Sequence, residues 1–182
     1  MKYIWYPLMI ICFFACDTPQ PKKGGGQGEK IFRTTDPSRL YFRNIRSTHY
    51  YHERDVATDM DIYRLRRYSR TSKRPIVMPV IVNNWLQDEA YMLVEPNGYK
   101  GLADPLHIQV EKDTSIQPLV LSNPTKKGQY EFAAQLYSLL KDKESLEVKT
   151  EEGDFISIFN NMDDKNNFLT VMKDYYRLTE SY

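Results

Sequence analysis

Two histidines three residues apart, His49 and His52, are the first candidates for metal chemistry, with Asp55 nearby and His107 the only other histidine. On a helix the two rings would share a face and could hold a divalent cation. The spacing is neither that of the zinc peptidases nor its inverted form. On a strand or loop the rings would point apart or move freely. We therefore expect solvated surface histidines, and we predict no metal site and no cofactor.

Closely spaced carboxylates, which can serve acid–base catalysis, occur at two places. Asp59 and Asp61 flank Met60, and Asp163 adjoins Asp164. Glycoside hydrolases bring their two carboxylates together from different elements, so neighbours in sequence do not indicate such a site. The second pair is better explained as a helix start with Asp163 as its N-cap, because the helix dipole favours negative charge there.

Sequence motifs of nucleophilic or phosphate chemistry are missing. The chain has no G-x-S-x-G nucleophile elbow and no P-loop. A Ser-His-Asp triad is assembled from distant residues, and nothing in the sequence favours one. The sequence therefore predicts no catalytic residue.

Both cysteines, Cys12 and Cys16, lie in an apolar N-terminal stretch. Lys2 precedes fourteen uncharged residues, 3–16, and the small Ala15 stands just before Cys16. This is the layout of a secretory signal. The stretch is shorter than the roughly 20 apolar residues that span a bilayer, and polar residues follow it at once. We predict a cleaved signal rather than a transmembrane anchor.

The four residues Phe13-Phe14-Ala15-Cys16 resemble the lipobox of bacterial lipoproteins, whose usual form is Leu-(Ala/Ser)-(Gly/Ala)-Cys. The last two positions match, and the two phenylalanines depart from the pattern. The resemblance implies that residues 1–15 are removed and that Cys16 carries fatty acyl chains such as palmitate. The protein would then be held on a membrane of the cell envelope, facing the periplasm or the cell surface. The mature chain keeps no second cysteine, which excludes a disulfide.

A flexible tether is predicted to follow, over residues 16–30. From residue 17 onward it is polar, rich in glycine and proline, and free of large apolar side chains. About fourteen such residues hold a domain roughly 20 Å from the lipid. Residues 31–182 then suit a single globular domain.

Charge is distributed unevenly along that domain. Residues 30–74 carry twelve Lys and Arg against five Asp and Glu, a net charge of +7. Residues 75–182 carry ten against seventeen, a net charge of −7. We favour the interpretation that the two parts pack together and partly neutralise each other. The alternative is a basic face that binds a polyanion.

For that alternative, four arginines are the candidate anion-binding residues: Arg64, Arg66, Arg67 and Arg70. Arginines interleaved with aromatic residues are typical of nucleic-acid surfaces. Because the sequence predicts export, we expect no nucleic acid. An anionic lipid or an acidic glycan is the expected partner, since guanidinium groups bind such anions well.

The hydrophobic pattern predicts an α+β domain with a mainly antiparallel β-sheet and two amphipathic helices in its C-terminal third. Strands are expected over residues 40–45, 61–68, 75–82, 90–94, 106–110, 116–121, 146–148 and 155–159. Asp36-Pro37 could instead open a helix through the first of these. Pro79 predicts an edge position or a bulge. The helices are expected over residues 132–140 and from Asp163 onward.

The sequence thus favours a membrane-anchored envelope lipoprotein with a non-enzymatic role in binding, assembly or surface structure. An envelope protein is a further possible partner. The alternative is an envelope hydrolase whose site is assembled from residues that the sequence does not group.

Overall fold

Two four-stranded antiparallel sheets and three α-helices form the part of the chain that the computed structural model describes, residues 30–68, 73–112 and 115–181. The predicted α+β class is therefore confirmed. The strands are β1 (Tyr50–Asp55), β2 (Met60–Leu65), β3 (Val77–Asn84), β4 (Glu89–Pro96), β5 (His107–Lys112), β6 (Ser115–Val120), β7 (Ser145–Lys149) and β8 (Phe155–Ile158). The helices are α1 (Asp36–Tyr41), α2 (Lys126–Lys141) and α3 (Met162–Thr179). The predicted signal and lipidation site, and the predicted tether except for its last residue Lys30, lie outside the described residues, as does Arg70.

The first sheet has the order β1-β2-β3-β4 and is built from two hairpins. The predicted central hairpin is confirmed, with β3 and β4 paired along their whole length. On its other side, β3 pairs with β2 only at residues 81–83. Pro79 lies outside that short ladder, where its missing N–H interrupts no second set of hydrogen bonds. The proline therefore occupies a local edge of an otherwise central strand.

The predicted strand over residues 40–45 is wrong, and the helical alternative is correct. Thr35 and Ser38 form a capping box, in which each side-chain oxygen accepts a hydrogen bond from the other residue's backbone N–H. Helix α1 starts there and continues into one π-helical turn, Phe42–Arg46. Aromatic and β-branched residues favour strands only where a pleated neighbour packs against them. In this segment Leu40 and Ile45 are instead half exposed to solvent.

The second sheet, in the order β6-β5-β7-β8, joins the first around one apolar core. Helix α3 packs against β3 and β4, and α2 packs along β4, where Gln129 accepts a hydrogen bond from the Val94 backbone N–H. Both amphipathic helices were predicted. The N-cap of α3 is Asn161, however, and Asp163 is in the first turn and donates its backbone N–H to Asn161. Asparagine caps as well as aspartate does, so the helix begins earlier than predicted.

Strand β1 is an outer strand of the first sheet and is exposed along most of its length. Only Tyr50 is buried in it, and residues 51–54 are exposed. Within the described ranges, no helix is both long and apolar enough to cross a membrane.

Candidate functional site

Arg64, one of the four predicted anion-binding residues, is already bound by two glutamates. Its guanidinium donates to both carboxylate oxygens of Glu95, at 2.9 and 2.8 Å, and to Glu53 at 2.9 Å. The hydrogen bonds that it donates to Glu95 raise the pKa of Arg64 above its ordinary value. A guanidinium held by two carboxylates has few donors left for an external anion.

The other predicted arginines do not form one cluster with it. Arg66 donates to the backbone carbonyl of Tyr50 at 3.0 Å and lies over the ring of Tyr51, 5.5 Å from its centre. Arg67 is exposed and has no ion pair within the described residues. Arg70 lies outside those residues. Of the described arginines that we predicted, Arg66 and Arg67 therefore have no carboxylate partner among the described residues, and Arg66 is already held by a carbonyl and a ring.

The favoured interpretation of the charge asymmetry is confirmed by ion pairs that join the two parts of the domain. Four arginines of the basic part pair with acidic residues of the remainder: Arg39 with Asp88, Arg46 with Asp174, Arg64 with Glu95, and Arg74 with Asp164. The positive charge of residues 30–74 is therefore partly used in packing.

The two closely spaced histidines are not on one helix. His49 ends a 3₁₀ turn, whereas His52 is in β1, where its ring stacks on Tyr63 at 4.9 Å. His52 Nε2 lies 2.8 Å from Asp61 Oδ1. Across the described ranges, no three His, Cys, Asp or Glu side chains are grouped as metal ligands would be. His52 instead belongs to the border of a cleft.

That cleft, with a volume of about 580 Å³, lies between α1 and the first sheet. We call it the arginine cleft. The residues that line it are Asp36, Arg39, Leu40, Phe42, Arg43, Arg54, Asp61, Tyr63, Asn83, Trp85 and Leu178. The volume is within the range of small-molecule sites in proteins.

The floor of the arginine cleft is a row of three residues across three strands. Arg54 of β1 opposes Asp61 of β2, and Asp61 opposes Asn83 of β3. Residues two apart on a strand share a face, so Tyr63 continues this floor. Its burial raises the pKa of the Tyr63 hydroxyl to about 12. The antiparallel registers thus bring together polar residues that are up to 29 positions apart in sequence.

The wall is formed by α1, by the π-helical turn and by the loop after β3. Arg39, Leu40 and Arg43 line it from the helical side, and Trp85 lines it from the loop. Trp85 is 45% exposed, and the Arg54 guanidinium carbon lies 5.9 Å from the centre of its ring. The wall therefore offers cations together with one large accessible aromatic face.

Most charges in the cleft are already paired. Arg39 binds Asp36 and Asp88, and the hydrogen bond that it donates to Asp88 raises the pKa of Arg39. Arg54 binds Asp59, and Asp61 is held by His52. These pairs fix the orientation of the side chains around the cleft, and their four carboxylates outnumber their two guanidinium groups.

Two groups of the cleft remain unpartnered. Arg43 is exposed and has no ion pair within the part of the chain that the structure describes. Asn83 Oδ1 is buried and accepts no hydrogen bond in that part of the chain. A buried acceptor without a partner costs about 1–3 kcal/mol. A ligand that brings an anionic group to Arg43 and a hydroxyl to Asn83 would satisfy both.

The sequence did not identify this site. Arg43 belongs to the arginine-rich segment, and Trp85 stands alone in a polar loop, but neither feature links the two. Their proximity depends on strand register and on the helical form of residues 40–45, which the composition does not specify. In comparisons with known proteins, the chain matches no family model, no curated protein and no solved structure.

Proposed function

We propose that this protein is a cell-envelope lipoprotein, anchored to a membrane through Cys16, with a non-enzymatic binding role. We further propose that the arginine cleft is its binding site and that the ligand is an acidic glycan. The observation that carries the second proposal is the combination of an unpaired guanidinium, Arg43, with an unsatisfied buried acceptor, Asn83 Oδ1, beside the exposed ring of Trp85.

A carboxylated sugar fits these three groups. Its carboxylate would accept paired hydrogen bonds from Arg43, since guanidinium and carboxylate are matched in geometry. Once the Asn83 amide rotates toward the ligand, one of the sugar hydroxyls would donate to Asn83 Oδ1, which satisfies the buried acceptor. Its apolar C–H face would lie on the ring of Trp85, which is flat and accessible. A simple phosphate would use Arg43 but would leave the tryptophan face uncovered.

Lipidation is tested by metabolic labelling with a fatty-acid analogue. We expect the wild-type chain to be labelled and the Cys16→Ala variant to be unlabelled, because no other cysteine follows the signal. Equal labelling of both proteins would contradict the anchor.

Ligand binding can be followed by the fluorescence of Trp85, which is the only tryptophan after residue 15. The mature chain is titrated with a short oligomer of glucuronic acid, and with the same oligomer of glucose as the neutral control. We expect saturable binding of the acidic oligomer alone. Replacing Arg43 by Gln should weaken that binding by about tenfold or more, because a charge-assisted hydrogen bond contributes roughly 1.5–3 kcal/mol.

Arg67→Gln is the matched control, since it removes another exposed arginine that lies outside the cleft. We expect it to bind as the wild type does. Loss of binding in Arg67→Gln but not in Arg43→Gln would instead favour the arginines first predicted from the sequence. Shortening of the oligomer during the titration, detected by chromatography, would favour the alternative function as an envelope hydrolase.

A further inference from the structure

The two hairpin turns of the first sheet lie side by side at one end of it. Arg54, Asp61 and Asn83 form one row across β1, β2 and β3, close to where each hairpin turns. The turns at residues 56–59 and 85–88 therefore leave the same end of the sheet. The contact between Arg54 and the ring of Trp85 joins the two.

Each turn exposes large apolar side chains. Val56 is 89% exposed, Leu86 is 61% exposed and Trp85 is 45% exposed. We call these three the tip residues. Single exposed apolar residues are common on protein surfaces, but three on adjacent turns are typical of a surface that contacts another apolar phase.

The N-terminal segment of the domain passes beside the same turns. The Thr34 backbone N–H donates to the Asp88 carbonyl at 2.8 Å, and Arg33 bridges to Glu89. The tether, residues 16–30, therefore joins the domain a few residues before the end that carries the tip residues. Because a tether of this length spans roughly 20 Å on average, a lipid on Cys16 would keep this end next to the membrane.

Charge at this end does not oppose such an approach. Arg39 binds Asp88, Arg54 binds Asp59, and Lys126 binds Glu89 at 2.8 Å. The Asp55 carboxylate accepts hydrogen bonds from Thr58 and from a backbone N–H, and these lower its pKa. Asp59, Asp88 and Glu89 are thus paired with cations, whereas Asp55 is held only by neutral donors, so contact with a bilayer would depend on apolar insertion rather than on attraction to anionic lipid.

From this placement we infer that Val56 and Leu86 enter the headgroup region of the membrane and hold the domain upright on it, with the ring of Trp85 at the boundary between the membrane and the arginine cleft. This inference rests on the proposed lipid anchor. The partner is the lipid surface itself, and zwitterionic lipid is sufficient. Tryptophan suits that position, because its ring is apolar while its N–H can remain among the headgroups.

The test uses the lipidated mature protein on phosphatidylcholine vesicles and reads the fluorescence of Trp85. We expect emission at shorter wavelength than that of an unlipidated chain in buffer, which starts at residue 16, carries Cys16→Ala and therefore has Trp85 as its only tryptophan. We also expect quenching by lipids brominated near the top of the acyl chain and protection from aqueous acrylamide. Raising the salt concentration should leave all three unchanged, since the contact is apolar.

Replacing Val56 and Leu86 together by Ser should reduce the lipid quenching about twofold or more, because less apolar surface remains to insert. Met162→Ser is the control. It removes a similarly exposed side chain at the start of α3. That end of the helix lies away from the tips, because the opposite end, at Glu180, contacts Thr35 near them. Arg43→Gln should also leave the quenching unchanged, which separates this contact from ligand binding in the cleft.

The lipidated protein could stay on the vesicles and still show the emission spectrum and acrylamide quenching that it has in buffer. That result would contradict the tip contact but not the lipid anchor. If the wild-type protein carries no lipid, the proposed lipid anchor is contradicted instead. The unlipidated chain is then mixed with excess vesicles. A shift to shorter wavelength would support the tip contact alone, and an unchanged spectrum would overturn it.

Discussion

Asp174 joins three segments through its two carboxylate oxygens. It is 2% exposed in α3, accepts hydrogen bonds from Arg46 at 2.8 and 2.9 Å, and accepts one from the Tyr50 hydroxyl at 2.7 Å. Burial and the neighbouring carboxylate raise the pKa of Tyr50 well above its ordinary value, so this hydroxyl stays a donor. The π-helical turn, β1 and α3 therefore meet at one ionised group.

We expect Asp174→Ala to lower the free energy of unfolding by about 3 kcal/mol. Removing one member of a buried pair costs about 3–5 kcal/mol, and the low end applies because the Arg46 side chain is partly exposed. Urea unfolding followed by circular dichroism measures the change. Asp163→Ala, an exposed site on the same helix, should cost at most about 1 kcal/mol. A similar loss of unfolding free energy in both variants would mean that the hydrogen bonds of the Asp174 carboxylate do not stabilise the fold.

Single residues were the hardest level to predict from the sequence. Arg64 was predicted to bind an external anion, yet it is used internally by Glu95, a residue 31 positions away. Arg43 was not predicted at all. The two differ in whether a carboxylate happens to face them, which depends on strand register and helix position rather than on composition.

Elements were predicted well where the pattern was strong and poorly where local signals conflicted. The alternation around Ile108 and Val110 and the apolar run of β3 both gave strands, because burial on a sheet requires these patterns. Residues 40–45 have the composition of a strand but follow a capping box and Pro37. Helix initiation at Thr35 outweighed strand propensity, since no neighbouring strand was available to stabilise the alternative.

Helix α2 contains a glycine whose replacement by alanine should destabilise the protein, which is the opposite of the usual effect in a helix. A change from Gly to Ala inside a helix stabilises it by up to about 1 kcal/mol. At Gly128, however, an added Cβ would lie 2.2 Å from the Asn123 carbonyl oxygen, and that backbone must shift. We expect Gly128→Ala to destabilise the protein by about 1–2 kcal/mol, the cost of overpacking.

Thermal or urea unfolding measures this change, and Ser138→Ala is its control. Ser138 is exposed in the same helix, so alanine there should be neutral or slightly stabilising. If Gly128→Ala stabilised the protein as well, the loop before α2 would have to be free to move away from the helix.

The described residues share one core, to which both sheets, the π-helical turn, α2 and α3 contribute. The chain is fixed from its first described residues onward. The Ile31 carbonyl accepts a hydrogen bond from Tyr175 at 2.9 Å, and Phe32 contacts the ring of Tyr130 edge-on. The domain boundary predicted at residue 31 can therefore be tested by where truncation begins to cost stability.

A chain that starts at Lys30 should unfold in one cooperative transition, with the stability of the mature protein. A chain that starts at Asp36 should be less stable by about 2 kcal/mol, because it loses the Thr35 cap and the hydrogen bond to Tyr175. Urea titrations of the two chains give the comparison. A broad, non-cooperative transition of the longer chain would place the boundary further upstream.

The charged side chains of the outer strand β1 affect how copies of the domain behave when they are crowded on one surface. Lipid anchoring confines molecules to a plane and raises their local concentration, which promotes pairing between the open edges of sheets. Strand β1 is short and exposes Glu53 and Arg54 along its length. Charged side chains on such an edge oppose the addition of a further strand. Crowded copies of this domain are therefore protected at β1 from aggregating into continuous β-structure.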